Sequence, residues 1–171
     1  MAFLSTTNVI LRGVNFVFLV IILGLTGSLI QSQDPTNSRV NFALFAAVFG
    51  LVTDSFYGVA AYFVEALAWP LILLTFNFLN FVFTLSAGSA LAAGLRVHSC
   101  NNEEYLLSNN VAQGSTDRCR KGQASTAFLF FSMALFIGSL AVQAIQVSGS
   151  GLFSSGSRSS KRAGVPTITT V

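Results

Sequence analysis

Charged residues are scarce in this sequence, and so are the residue types that build metal or nucleophilic sites. Only 9% of the 171 residues are charged, against about 25% in a typical soluble domain. One histidine and two cysteines leave little material for a metal centre. Nine basic and six acidic residues cannot cover the surface of an 18.2 kDa globule. The shortage of charge therefore excludes a soluble globular protein.

Apolar residues take the place of the missing charge. They make up 53% of the chain, which includes 17 phenylalanines and has a mean hydropathy of +0.69. This composition is typical of a protein whose solvent is lipid. The net charge is only +3, and its basic residues are scattered or lie in a short tail, so the pI near 9.2 does not indicate nucleic-acid binding. We expect a membrane protein with no nucleic-acid partner.

Four apolar stretches are long enough to cross a bilayer, which takes about 20 apolar residues in a helix. Their runs are continuous and do not alternate, which favours helices over barrel strands. The pattern predicts an all-α membrane protein, a bundle of four transmembrane helices. The predicted spans are about 13–30, 40–64, 70–95 and 124–147. Residues 1–150 would form this four-span domain, and the Ser/Gly-rich residues 151–171 would form a flexible cytoplasmic tail.

The two cysteines lie in the one long polar loop, between the third and fourth predicted spans. Cys100 and Cys119 predict a disulfide on an oxidising face, which places this loop outside and both termini in the cytoplasm. In the loop-entropy picture, closing about 20 residues contributes about 3 kcal/mol. The alternative takes His98 with either cysteine as a nucleophile pair or metal site, but these residues supply three ligands at most. The disulfide is therefore favoured.

Asp54 interrupts the second span, where an acidic group costs about 2.5 to 3.5 kcal/mol unless it finds a partner or water. Helical rise places Asn80 at about the same depth on the antiparallel third span, with Asn77 on the same helix face. A polar clamp of Asp54, Asn77 and Asn80 between the two helices is the favoured interpretation. The alternative is a proton or ion site.

The tail carries a small basic cluster among serines. Three basic residues could rest on anionic lipid at about 1 kcal/mol each, or contact a partner: Arg158, Lys161 and Arg162. Phosphorylation of neighbouring serines would oppose this contact, at Ser157, Ser159 or Ser160. A merely solvated tail is the alternative.

Several short segments together point to a known family. They are TDSFYG (53–58), EALAWPL (65–71), NFLNFVFT (77–84), HSCNN (98–102), QGSTDRC (113–119) and GVPTI (164–168). With these segments the chain resembles the fungal non-classical export protein 2 family of MARVEL-domain tetraspan proteins, from about Asn8 to the C-terminus. The combination is far more specific than any one segment.

The resemblance implies a plasma-membrane protein of an eisosome-associated, furrow-like compartment, which organises membrane domains, responds to sphingolipids and takes part in unconventional secretion. Its implied partners are membrane lipids such as a sphingolipid or sterol, eisosome-type membrane-shaping proteins, and further copies of itself. We expect no enzymatic activity and no cofactor, since no catalytic constellation is present. The alternative is a small proton- or solute-coupled carrier using Asp54, but the sequence has no convincing internal repeat.

Overall fold

The computed structural model describes residues 2–64, 67, 69–96 and 98–150 of the chain. This part is almost entirely helical and contains no β-strand. Its elements are α1 (Ala2–Gln31), α2 (Ser38–Gly50), a π-helix (Leu51–Tyr57), α3 (Gly58–Phe63), α4 (Pro70–Leu95), α5 (Glu103–Ser108) and α6 (Thr116–Ser150). The predicted tail, with its basic cluster and serines, lies outside the described residues.

Local sequence signals explain where several helices begin. The Asn37 side chain caps α2 by accepting a hydrogen bond from the Arg39 backbone N–H at 3.0 Å. Pro70 opens α4, at a position where its missing N–H leaves no bond unmade. Asn102 caps α5 by accepting from the Tyr105 N–H at 3.2 Å. These caps confine the breaks between helices to the short polar segments of the sequence.

Four helical segments in the described part are long and apolar enough to cross a membrane. They are Thr6–Gln31, Ser38–Ala61, Pro70–Leu95 and Thr116–Ser148. The predicted all-α fold with four spans is thereby confirmed. The first and fourth segments begin earlier than predicted, because α1 includes the buried Arg12 and because α6 extends through polar residues before its apolar run starts.

The four long segments pack as a ring, in which α6 lies between α1 and α4, and α2 lies between the same two helices on the other side. Buried residues recur seven apart, as Ile22 and Leu29 do in α1 and Leu129 and Phe136 in α6. This is the spacing at which side chains of bundled helices interdigitate. The bundle core therefore follows directly from the sequence pattern.

The interior of the bundle differs between its two ends. Near the loop end the fully buried side chains include the apolar Leu29, Val40, Leu91 and Val111, and the buried Arg118 there donates to the Leu29 and Val111 carbonyls. Toward the opposite end the interior becomes polar, and the buried side chains there include Arg12, Asn15, Asp54, Asn77, Asn80, Ser132, Ser139 and Gln143. A membrane protein must satisfy such groups within the bundle, because lipid offers them no hydrogen bonds. The polar end is therefore where a functional site is to be sought.

The outer surface of the bundle is rich in large apolar side chains. They include Phe16, Val20, Phe45, Phe56, Phe78, Phe131, Ile137 and Ile145. On a water-soluble protein such an apolar surface would be unusual. Around transmembrane helices it is the surface that contacts lipid tails.

The loop end is tied together by hydrogen bonds between the two connections on that side. Gln113 accepts from the Asp34 N–H at 3.1 Å and donates to the Pro35 carbonyl at 2.8 Å. The Asn37 amide donates to the Asn110 carbonyl at 3.0 Å. The first and third connections therefore share one face of the bundle, as an antiparallel four-helix arrangement requires.

Candidate functional site: a buried ion pair beside a π-helix

Arg12 on α1 and Asp54 on the π-helix form a buried ion pair. The Nη1 of Arg12 lies 2.6 Å from the Oδ1 of Asp54, and the two side chains are only 9% and 2% exposed. The same nitrogen donates to the backbone carbonyl of Asp54 at 2.8 Å. Asn15 donates to the second carboxylate oxygen at 3.3 Å. Both oxygens of the carboxylate thus have a donor on α1.

The π-helix explains why Asp54 faces α1. A π-helix inserts extra residues into the helical turn, which changes the direction of its side chains relative to an α-helix. Here it covers seven residues, including the TDSFY segment. Most known π segments are single turns, and many lie at functional sites. The Arg12 guanidinium then binds both the side chain and the main chain of this widened segment.

Gly58 leaves the space that the guanidinium occupies. A Cβ added at Gly58 would lie 1.6 Å from Nη1 of Arg12 and 2.6 Å from its Cζ. The Arg12 guanidinium could relieve this overlap only by moving away, and two hydrogen bonds to Asp54 hold it in place. Glycine at this position is therefore a condition for the ion pair.

The structure corrects the predicted polar clamp. Asp54 bonds to α1 and makes no bond to Asn77 or Asn80. Asn80 instead donates to the hydroxyl of Thr53 at 2.8 Å, and the Nδ2 of Asn77 is buried without a partner among the described residues. The prediction compared only depths along straight helices, whereas the π-helix turns Asp54 toward α1 and leaves Thr53 facing α4.

Together these bonds connect three helices at one level. Asp54 attaches the second span to α1, and the adjacent Thr53 attaches it to α4 through Asn80. Arg12 lies about 28 Å from the loop end of α1 and Asp54 about 24 Å from that of α2, at 1.5 Å per residue. This agreement in depth could be worked out from the sequence, but it does not distinguish Arg12 from Asn80, which lies at about the same depth as Asp54.

Further buried polar atoms surround the ion pair. On α1, the π-helix and α4, five of them lack a hydrogen-bond partner in the described part of the chain: Asn8 Oδ1, Asn15 Oδ1, Ser55 Oγ, Asn77 Nδ2 and Asn80 Oδ1. On α6, Ser132 Oγ and both amide atoms of Gln143 are in the same condition. The polar end of the bundle therefore has hydrogen-bonding groups in addition to those of the Arg12–Asp54 pair. Such groups could line a polar path, as the carrier alternative requires.

Cys100 and Cys119 form a disulfide in the structure, with their Cα atoms 5.7 Å apart. They pack in a small cluster with Tyr105, Leu106 and Ala112. His98 contacts the ring of Tyr105, at 5.0 Å between centroids. With both sulfurs bonded to each other, the structure offers no thiol for the nucleophile or metal site considered from sequence. Within the described residues, no three histidine, cysteine or acidic side chains form a metal-binding group.

Tyr105 anchors this loop to the end of α4. Its hydroxyl donates to the Leu95 carbonyl. Burial raises the pKa of the Tyr105 phenol above its usual value, and the charge of Arg96 opposes that rise. The phenol is therefore a neutral donor at physiological pH, as this hydrogen bond requires.

The fold, the paired intramembrane charges and the apolar exterior define a multi-pass tetraspan membrane protein. Residues 3–142 match the membrane-associating MARVEL domain, and the chain belongs to the non-classical export protein 2 family of MARVEL-domain proteins. It is 51% identical over 172 residues to Non-classical export protein 2 of Saccharomyces cerevisiae, covering 98% of this chain and 99% of that protein. It is 60% identical over 169 residues to Non-classical export protein 102 of Candida albicans, with the same coverage. No solved structure matches the chain.

The family match has a direct functional consequence. It covers the first three membrane-spanning segments in full and most of the fourth, Thr116–Ser148. These observations support a membrane-associated protein as the functional class. The names and the domain of the family indicate a non-catalytic role.

Proposed function

We propose that this protein organises domains of the plasma membrane stoichiometrically, promotes membrane furrows of the eisosome-associated type, and responds to sphingolipids. The observation that supports it is the contrast between the bundle's exterior and its interior. Large side chains such as Phe56, Phe78 and Phe131 are 68%, 54% and 55% exposed. These surfaces are available to lipid and to neighbouring helices.

The buried charges fit a structural role. Both oxygens of the Asp54 carboxylate accept hydrogen bonds from α1, and the paired guanidinium also holds the π-helix backbone. A carboxylate held in this way is a poor general base and a poor ion ligand. A rigid bundle with fixed lipid-facing surfaces suits a protein that acts by partitioning rather than by turnover.

The proposed location and partners follow from the predicted topology and from the family. Both termini lie in the cytoplasm, and the disulfide-bearing loop faces outward. A sphingolipid or sterol, eisosome-type membrane-shaping proteins and further copies of the chain are the proposed partners. Relatives carry the name Non-classical export protein, and we extend a role in unconventional secretion to this chain as part of the proposal.

Imaging of the tagged protein in its native membrane tests the organiser role. We expect patches that redistribute when sphingolipid synthesis is blocked. A variant lacking residues 158–171 should still insert but should recruit partners or form furrows less well, because it lacks the basic cluster. An even distribution of the intact protein, unchanged by sphingolipid depletion, would contradict the proposal. Normal furrows with the shortened protein would remove only the tail's role.

The carrier remains a second candidate because the unpartnered polar atoms near Asp54, such as Ser55 Oγ and Asn77 Nδ2, could line a polar path. Flux measurements on the purified protein in liposomes test it. The organiser proposal predicts no proton or solute flux. Flux that stops on Asp54→Asn while the protein stays folded would reverse the order of the two candidates.

A further inference from the structure

A polar cleft opens at the loop end of the bundle, far from the buried ion pair. Its volume is about 360 Å³, and its lining includes Arg39, Arg96, His98 and Glu104. Arg39 lies in the first turn of α2, and Arg96 follows the last residue of α4. Because both residues mark the ends of membrane spans, the cleft lies at the level of lipid headgroups.

Arg96 occupies a backbone position that normally suits glycine. Its φ is 49°, in the left-handed region, and its N–H closes α4 by donating to the Ala92 carbonyl at 3.0 Å. Glycine adopts this conformation without steric cost, whereas an arginine does not. Nothing in the helix termination itself requires a side chain here. A long cation at a strained position suggests that the side chain has a use of its own.

Arg39 is held against α4 at the other side of the cleft. A Cβ at Gly94 would lie 2.9 Å from the Nη1 of Arg39 and 3.1 Å from its Cδ, so the side chain lies directly on the α4 backbone. In the described part of the chain, neither Arg39 nor Arg96 makes an ion pair or a side-chain hydrogen bond. Two guanidinium groups in one cleft thus have donors to spare.

The base of the cleft is built so that it does not repel an anion. Carbonyl groups at a helix C-terminus carry partial negative charge. At the end of α4, Asn109 donates to the Gly94 carbonyl at 2.8 Å, and the Tyr105 hydroxyl donates to the Leu95 carbonyl. The buried Asn109 is fixed in turn, because its oxygen accepts from the Val111 N–H at 2.9 Å. These bonds occupy two of the last carbonyls of α4, those of Gly94 and Leu95.

We propose that this cleft binds the phosphate of an anionic lipid headgroup in the leaflet on the loop side. The planar donors of guanidinium match phosphate oxygens. The lining of the cleft holds two arginines and one carboxylate, that of Glu104. Its net charge is therefore positive even when His98 is neutral. A lipid is the expected source of the phosphate because the cleft lies where spans end. This site adds a ligand to the organiser described above but does not depend on that role.

Native mass spectrometry of the full chain, released from nanodiscs of phosphatidylcholine with a minor fraction of phosphatidylglycerol, measures retained anionic lipid. Arg39→Gln and Arg96→Gly should each lower retention of phosphatidylglycerol about tenfold, the effect of losing one charge-assisted hydrogen bond. Glu104→Gln should raise it. Arg96→Gly should also keep or raise the thermal stability, because glycine relieves the positive φ. A loss of binding in that variant therefore cannot result from misfolding.

Arg120→Gln is the matched control. Arg120 is exposed near the same end of the bundle and does not line the cleft. Its loss should leave retention of phosphatidylglycerol unchanged. An equal loss of binding in Arg120→Gln would overturn the proposal, since general charge attraction would then account for the lipid. Unchanged retention in both Arg39→Gln and Arg96→Gly would also overturn it.

Inorganic phosphate distinguishes the two sources of the ligand. In nanodiscs of phosphatidylcholine alone, inorganic phosphate should produce little thermal stabilisation, whereas inclusion of phosphatidylglycerol should stabilise the wild type but not Arg39→Gln. Equal stabilisation by inorganic phosphate would show that the cleft takes a soluble anion and would overturn the lipid assignment. The assay contains no furrow-forming partners, so a negative result here leaves the organiser proposal standing.

Discussion

Removing one member of the Arg12–Asp54 pair should destabilise the bundle far more than removing both. Arg12→Gln takes away two hydrogen bonds to Asp54 and leaves a carboxylate that is 2% exposed without its cation. Breaking a buried pair in this way costs about 3 to 5 kcal/mol. Asp54→Asn should cost a similar amount, because it leaves the Arg12 charge buried. Each single variant should therefore cost more than the double variant, because it leaves an unpaired charge in the bundle interior.

The double variant, Arg12→Gln with Asp54→Asn, removes both charges and retains groups that can hydrogen-bond to each other. It should recover most of the loss, giving a coupling energy of about 2 kcal/mol or more. The surface pair Asp117 and Lys121, with side chains 70% and 32% exposed, is the matched control. Neutralising it should give a coupling energy below about 1 kcal/mol.

Reversible unfolding in mixed micelles, followed by the loss of helicity, measures these free energies. The four proteins of the cycle must be compared under the same detergent conditions. Strictly additive costs for Arg12→Gln and Asp54→Asn would refute the assignment of this pair as the clamp between α1 and the second span. A coupling energy as small as that of the control pair would do the same.

Three further predictions concern the packing, the loop and the topology. Gly58→Ala should lower the thermal stability, because the new Cβ would overlap the Arg12 guanidinium, whereas Gly24→Ala, where a Cβ meets nothing within 4 Å, should be neutral or slightly stabilising. Alkylation of the unreduced protein followed by mass spectrometry should find Cys100 and Cys119 unmodified; recovery of both as alkylated thiols would exclude the disulfide. Tags at both termini should be protected from protease added outside intact cells, while a tag near Glu103 should be digested; termini on opposite sides would disprove the four-span topology.

The number and type of the membrane spans could be predicted from the sequence because lipid imposes a simple rule. A segment that crosses the bilayer must satisfy its backbone hydrogen-bonding groups within itself and present an apolar exterior to lipid. Long apolar runs such as the one ending at Leu95 therefore identify helices directly. The cysteine pair was predictable for a similar reason, since Cys100 and Cys119 lie in the same polar loop and no other cysteine competes.

The partner of Asp54 could not be predicted in the same way. Hydropathy treats Arg12 as a flanking charge, because a single cation is costly within a span. The free-energy cost of burying Arg12 is offset only when a carboxylate on another helix lies at the same depth and points toward Arg12. The direction depends on the π-helix, which hydropathy and helix propensity do not reveal. Depth alone therefore favoured Asn77 and Asn80 as partners of Asp54. The π-helix instead turns Asp54 toward Arg12 on α1.

The most direct test of the organiser function is the dependence of furrow formation on the amount of protein. Expression of the full chain should be varied in its native cells, and furrow number and depth should be counted by electron microscopy. A stoichiometric organiser predicts that furrows increase in proportion to protein copies over the natural range. Furrows that reach their full number at a small fraction of the natural amount, or that do not respond to its removal, would contradict the account.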